Sequence, residues 1–520
     1  PCKTMIRILS FSLLQLLFAL GLLASEAAQA PQTTVTLNVS DWGVVGDGIH
    51  DDTAAMRRLL QHRCGPCHKH IVIPAHYMVR TFPLNLTSHT TLQVDGTLVA
   101  TPSAAHWPIM PPVANNGDSE DTWSGLTVNQ YQSYLYAVDA VDIRITGSGV
   151  IDGSGPYWWK LFKDRDPVLQ FGGRPNLLQT VNVTNLEIDT VIMKDSPFWT
   201  VHPMLSRNIY IHHMKIRAPL YAPNIDGIDP DSCQDVLVEY NDVACGDDHI
   251  AIKAGVCGVP NSKKYHNHCT DPDWIERSKA YLTRNVTIRH NVFRTGMGIA
   301  VGSATSGSVK DVFIYNNTIG VCEAGSDDQY KSCGWGPALH LKTTITRSGV
   351  IDNVVFDNNT IYNNSMFIFL ETNYQVQDQD LPADYPKTKV QNIYFQNNRA
   401  VGHATAATFH CDAKDPCHNI TVVNNTIVNA QGKNPWKCNF IESYHVADNV
   451  PNGLEEWMAN SMNKTSDDEC PPAEGSSSSR SSSRTLLCPS HEPVRSGRQS
   501  SVPDQIEHFG NQKPRSYQLV

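Results

Sequence analysis

Between about residues 140 and 430 the chain alternates apolar and polar positions with a period of two, in short runs that each open on Asp or Asn. The copies are Asp142-Ile-Arg-Ile, Asn185-Leu-Glu-Ile, Asn208-Ile-Tyr-Ile, Asp235-Val-Leu-Val, Asn285-Val-Thr-Ile, Asp311-Val-Phe-Ile, Asn353-Val-Val-Phe, Asn392-Ile-Tyr-Phe and Asn419-Ile-Thr-Val. A turn residue followed by alternating β-branched or aromatic residues predicts a strand with one buried face. A second short strand usually follows, as in Asn359-Thr-Ile-Tyr. Neighbouring copies start 23 residues apart (185 to 208), 27 (208 to 235), 26 (285 to 311) and 27 (392 to 419). The 50 residues from 235 to 285 read as two coils, or as one coil and a loop. Strand and turn at such a period, with no helical segment between copies, predict a solenoid. One coil cannot bury its apolar face alone, so coils stack in parallel at ~4.8 Å. The expected fold is therefore all-β, a parallel β-helix. A β-sandwich would not repeat one signature so often.

Outside the repeats the pattern changes. Asp51-Asp52-Thr-Ala-Ala-Met-Arg-Arg-Leu-Leu, after a Gly-rich turn, predicts an amphipathic N-terminal capping helix that covers the first coil, with the aspartates at its N-cap. Near the start, Arg7 precedes a mostly apolar run from Ile8 to Ala24, and Ala28-Gln29-Ala30 offers a small-residue cleavage site. Residues 1–30 thus read as a signal peptide, with an upstream extension before Met5. A membrane anchor is the alternative, but the run is short and interrupted by Ser10, Ser12 and Gln15. Residues 31–470 are expected to form the solenoid domain. Residues 471–520, rich in Ser and Arg, are expected to be a disordered tail.

Composition narrows the possibilities. A formal net charge of −10 disfavours a nucleic-acid partner but permits an acidic polysaccharide, which needs only local cations. Setting aside Cys2 and Cys488 leaves twelve of the 14 cysteines. Cys257 and Cys269, Cys322 and Cys333, and Cys411 and Cys417 lie close in sequence, as in loops stapled by disulfides in an oxidising compartment. Sequons at positions such as Asn285, Asn316, Asn358, Asn419 and Asn424 agree with export, although Asn also favours turns and stacked ladders. Cys64-Gly-Pro-Cys67-His68 fits a redox or haem-attachment pattern, but no βαβ pattern surrounds it, and a stapled loop is the simpler reading.

The stretch richest in chemistry is Asn224-Ile-Asp226-Gly-Ile-Asp229-Pro-Asp231, followed by Gly246-Asp247-Asp248-His249-Ile-Ala-Ile-Lys253. Aspartate pairs also occur at 51–52, 327–328 and 467–468, where they suit caps and acidic loops. Here Gly246 permits an unusual turn just before an apolar strand. The 21 residues from Asp226 to Asp247 are close to one coil, so stacking should gather Asp226, Asp247 and Asp248 on one face. Crowded carboxylates raise at least one pKa, which leaves a protonated acid beside ionised neighbours. Glycoside hydrolysis needs that division: one acid for the leaving oxygen and one base for water. From these residues alone, a cation site or a polar ladder remains the alternative.

With these motifs the chain resembles the polygalacturonase family, glycoside hydrolase family 28. Asn224-Ile225-Asp226 is similar to that family's Asn-Thr-Asp, and Gly246-Asp247-Asp248 to its Gly-Asp-Asp. Asp41 to Thr53, Gly147 to Gly153 with Trp158-Trp159, and Ser196 to Pro203 are also similar, over roughly residues 40 to 430. The resemblance implies a right-handed parallel β-helix and hydrolysis of α-1,4-galacturonosyl linkages by single displacement with inversion. It implies Asp247 as general acid and Asp226 with Asp248 as the pair that activates water. It further implies a substrate contact at Lys342 and, within the Asn-Thr-Asp element, at Asn224, with a pectic polysaccharide partner; His340 and His249 are further candidate substrate contacts, and no cofactor or metal, no stable membrane association, a monomer and extracellular localisation are expected.

Two positions depart from the pattern. The family's Gly-His-Gly stands here as Gly296-Met297-Gly298, and its Arg-Ile-Lys as His340-Leu341-Lys342. Methionine cannot bind a carboxylate, and histidine lacks the bidentate fork of arginine. Galacturonate binding is therefore expected to be altered, toward end-acting cleavage or toward another pectic backbone such as rhamnogalacturonan. Trp199, His202 and Tyr374 are candidates for a sugar-lining role or for plain packing. Two other classes remain: a polysaccharide lyase, which would give unsaturated products and usually need calcium, and an inactive wall-binding protein, which has no need of three crowded carboxylates.

Overall fold

The computed structural model describes residues 33–110, 130–171, 173–255, 282–322, 334–343, 349–362, 364–374, 387–401, 405–428, 436–450 and 454–459. The expected signal segment and tail, together with Cys257, Cys269 and Cys333, lie outside the described residues. The repeats stack in register. Ile143, Leu186, Ile209, Val236, Val286, Val312, Val354, Ile393 and Ile420 pair in that order between parallel strands. All are buried. They form one row of a sheet with thirteen strands among the described residues; a second sheet has twelve. Val236 pairs directly with Val286, so the 50-residue step is one coil plus an excursion. Parallel crossovers of L-residues wind right-handed.

The Asp or Asn that opens each repeat has a left-handed backbone, with φ between 52° and 63° in all nine copies. Asp and Asn tolerate this conformation better than other residues with a side chain. Their side chains also stack: Asn185 Nδ2 donates to Asp142 Oδ1 at 2.7 Å, Asn208 to Asn185 at 3.0 Å, and Asn419 to Asn392 at 2.6 Å. The sequon residues Asn285, Asn358, Asn419 and Asn424 all use their amides in such stacks.

A second ladder runs through the interior. Asn241, Asn291, Asn317, Asn359, Asn398, Asn425 and Asn449 are buried, and each Nδ2 donates to the next Oδ1 at 3.0 Å. The same oxygens accept the backbone N–H of the preceding asparagine, so the turn backbone is satisfied away from water.

Helix α1, Thr53–Leu60, buries Met56, Leu59 and Leu60 completely. Asp52 does not cap it. That side chain is buried and accepts the N–H groups of Val45 and Gly46, at 2.8 and 3.0 Å, while Asp51 accepts from Thr53 N–H at 3.0 Å. The expectation that no helix interrupts the repeats also fails. Helix α2, Gly155–Lys163, lies in the step between 142 and 185. Pro156 suits its first turn, and Trp158 and Trp159 bury its inner face.

Cys64 bonds Cys67 and Cys411 bonds Cys417, and Cys322 is disulfide-bonded. The stapled-loop reading does not extend to Cys233 and Cys245, which are buried free thiols facing main-chain oxygens.

Candidate active site

The third face of the solenoid is broken in the middle. A four-stranded sheet ends at Val201–Met204, and a six-stranded sheet begins at Ile250–Ile252. Between them the coil carrying Asn224 to Asp231 makes only isolated bridges, Val201 to Ile228 to Ile250 and Met204 to Asp231 to Lys253. Asn224 is left-handed, φ 52°, and Pro230 has no N–H to offer a ladder. An interrupted coil lets acidic side chains leave the sheet without breaking a regular strand.

Register then gathers the acids. Ile228 pairs with Ile250, so Asp226 sits opposite Asp248, 22 residues on. Gly227 N–H donates to Asp248 O at 2.9 Å, and Asp247 N–H to Ile225 O at 3.3 Å. The Asp248 N–H donates to Asp247 Oδ1 at 2.9 Å. Gly246 is needed for close approach rather than for an unusual φ: a Cβ there would lie 2.0 Å from Ala222 O. The outward row of the same sheet runs Asp229, Ala251, Ala300, His340, Phe369, and beside it lie Asp231, Lys253, Lys342 and Glu371.

The acids have different environments. Asp226, 5 % exposed, is pushed well above the usual carboxylate range by burial, then by Asp229 and Asp247. Asp229 is raised to about 7, mainly by burial, against the pull of Lys253. Burial raises Asp248 as well, but the Lys342 ammonium 2.7 Å from its Oδ2, together with His340 and Lys253, holds it below the ordinary value. Lys342 in turn is raised well above its usual value: burial lowers it, but Asp248, Tyr374 and Asp247 together raise it more. Lys253 Nζ lies 3.8 Å from Asp226, 3.9 Å from Asp229 and 4.2 Å from the Trp199 ring centre. The ionised form of one carboxylate is thus favoured by a paired ammonium, beside two whose protonated forms burial favours.

Sequence reasoning named Asp226, Asp247 and Asp248, and the fold brings them together. It passed over Asp229, although Asp226-Gly-Ile-Asp229 is visible and both acids leave the same irregular coil. It also passed over Lys253 and Glu371; Glu371 reaches the site through strand register and has no local signature.

The other residues singled out have these places. Asn224 Oδ1 accepts from Arg174 Nη2 at 2.9 Å, and the guanidinium packs over Phe162 and Phe198. His249 is wholly buried. Its Nε2 donates to Thr295 O at 2.9 Å, and burial lowers it to about 4, so it braces the acid turn from beneath and does not present its ring to the groove. His340 is 4 % exposed, stacked 5.3 Å from Phe369, with Nε2 3.0 Å from Glu371 Oε1; burial lowers its pKa. Met297 donates its N–H to Asp247 O at 2.8 Å. Trp199 and His202 are buried, and the Lys342 ammonium lies 4.9 Å from the Tyr374 ring centre. A separate group, Glu187, Asp189 and His212, has metal-like spacing, but Arg144 pairs with Asp189 at 2.8 Å there.

Comparison with known proteins adds the last evidence. A polypeptide of Vitis vinifera described as "Probable polygalacturonase" is 29% identical over 416 residues, 77% of this chain and 76% of its own. The exopolygalacturonase of Thermotoga maritima shares the fold with a TM-score of 0.59 at 23% identity, over 81% of this chain and 93% of that one. The polygalacturonase of Erwinia carotovora does so with a TM-score of 0.56 at 20% identity, over 79% and 96%. The family model described as glycosyl hydrolases family 28 matches residues 64–447, most of the described solenoid, and the chain therefore belongs to the glycosyl hydrolases family 28.

Proposed function

We propose that this glycoside hydrolase degrades pectin, cleaving α-1,4-galacturonosyl linkages by single displacement with inversion. The observation that carries this reading is the cluster of Asp226, Asp229, Asp247 and Asp248, in which Lys342 favours the ionised form of Asp248 while burial favours the protonated forms of Asp226 and Asp229. Asp248 is the base that takes the proton from water. Asp226 orients that water; burial favours its protonated form, and Lys253, 3.8 Å away, opposes this. Asp247, more exposed than its neighbours and held by the Asp248 N–H, protonates the leaving oxygen. Acid and base assistance of this kind contributes about 10²–10⁴-fold each.

Related proteins named polygalacturonase support the pectic substrate. The apolar N-terminal segment and the disulfides support action outside the cell. Among the described residues no helix is long and apolar enough to cross a membrane.

The test is release of reducing ends from polygalacturonate and from rhamnogalacturonan, with Asp247→Asn alongside. Turnover with saturated products, unaffected by chelator and reduced at least ~10²-fold in the variant, is expected. Unsaturated products, or equal rates for the variant, would overturn the assignment. A rhamnogalacturonan preference is the second reading, favoured by the His340–Glu371 pair.

A further inference from the structure

The position that holds arginine in the family's Arg-Ile-Lys pattern does more here than lose a charge. His340 Nε2 lies 3.0 Å from Glu371 Oε1, and a carboxylate oxygen accepts, so Nε2 carries the ring proton. The other nitrogen, Nδ1, then presents a lone pair, and it is buried without a hydrogen-bond partner. Asp248 Oδ1 and Asp229 Oδ2 are likewise buried without a hydrogen-bond partner. One face of the imidazole is stacked on Phe369, with the planes 9° apart. On its other side the strand register places the short side chains of Ala300 and then Ala251. Arginine at 340 could only donate; this histidine gives its Nε2 proton to Glu371 and has only an acceptor, Nδ1, left to offer.

We propose that the sugar unit bound beside His340 and Glu371 is an uncharged one, recognised through a hydroxyl that donates to His340 Nδ1, and that Glu371 excludes a free galacturonate carboxylate from this position. This rests on the pectin-hydrolase reading above and names the substrate class for that site. Two carboxylates brought together in a buried site, with Lys342 already paired to Asp248, would leave a charge without a counterion. Burial disfavours a second proton on His340, which would otherwise convert Nδ1 into a donor. Uncharged units reach pectin in two ways, as methyl-esterified galacturonate or as a neutral sugar such as rhamnose.

The test compares kcat/KM on three substrates: fully de-esterified polygalacturonate, highly methyl-esterified pectin and a rhamnogalacturonan backbone. The native enzyme is expected to favour one of the two uncharged-unit substrates over de-esterified polygalacturonate by about tenfold or more, and which one tells ester from neutral sugar. The double variant His340→Arg/Glu371→Gln should reverse the order, mainly through KM. A native enzyme that works best on de-esterified polygalacturonate would overturn the inference and leave the hydrolase assignment standing. Turnover of none of the three would overturn both. The native preference decides the matter even if the variant fails to fold, and a folded variant with an unchanged ratio would also sink the proposal.

Discussion

Replacing Lys342 by methionine is the sharpest perturbation of the site. The Nζ–Oδ2 distance is 2.7 Å, and both side chains are more than nine-tenths buried. Removing one member of such a pair leaves Asp248 charged, buried and uncompensated, which costs about 3–5 kcal/mol. Asp248 escapes part of this by taking up a proton, and each unit its pKa climbs corresponds to about 1.4 kcal/mol. The sign follows from the depressed value of Asp248 in the native protein. Its ionised form contributes stability that is present above about pH 4, the unfolded value, and is lost as pH falls through the native value. The gap between native and Lys342→Met should therefore be wide at pH 7 and narrow in acid. Urea denaturation at several pH values measures it. If Asp248 is the base, the acid limb of the pH–rate profile must also move to higher pH. Adding Asp248→Asn removes the stranded charge, so the double variant should be more stable than the sum of the single costs. Additivity to within about 0.5 kcal/mol, together with an unmoved acid limb, would refute the reasoning.

Other consequences are as direct. Asp229 is raised to about 7, so its protonated form contributes stability that is complete below about pH 4 and is lost as pH rises toward 7; Asp229→Asn should gain urea resistance at pH 7 and change little at pH 4. Asn359→Ala in the interior ladder strips partners from the Asn317 amide, the Ile314 carbonyl and Asn398 Oδ1, and should cost on the order of 3 kcal/mol or more in urea denaturation. Gly296 has φ 145°, and a Cβ there would meet His249 Nε2 at 2.6 Å and Asp247 O at 2.9 Å. Gly296→Ala should thus lower kcat by about tenfold or more while the disulfide-stapled solenoid stays folded by circular dichroism, because misplacing the acid turn is costly to rate.

Much of the architecture was legible because it is local and repeated. Each strand carries its own alternation, and each Asp or Asn before it suits the left-handed backbone that all nine copies adopt. Helix α2 was missed because nine residues that begin with Gly155-Pro156 are too short to show a helical period, and its tryptophans read equally well as sheet residues. Asp52 was misread for a related reason. An aspartate before a helix ordinarily caps it, but this one is buried against the turn at Val45 and Gly46.

The sequence by itself determined the solenoid, the spacing of its coils and the acids at 226, 247 and 248, since period-two patterning and a step of about one coil are properties of neighbouring residues. Only the tertiary structure decided what stands next to Asp248 and next to His340. Lys342 meets Asp248 across 94 residues, and Glu371 meets His340 across 31. Those separations are set by excursions of unequal length between coils, such as the one between Val236 and Val286, so no pattern of residues in the chain encodes the pairings. Electrostatics depends on distance and burial, and both arise only once the coils have stacked.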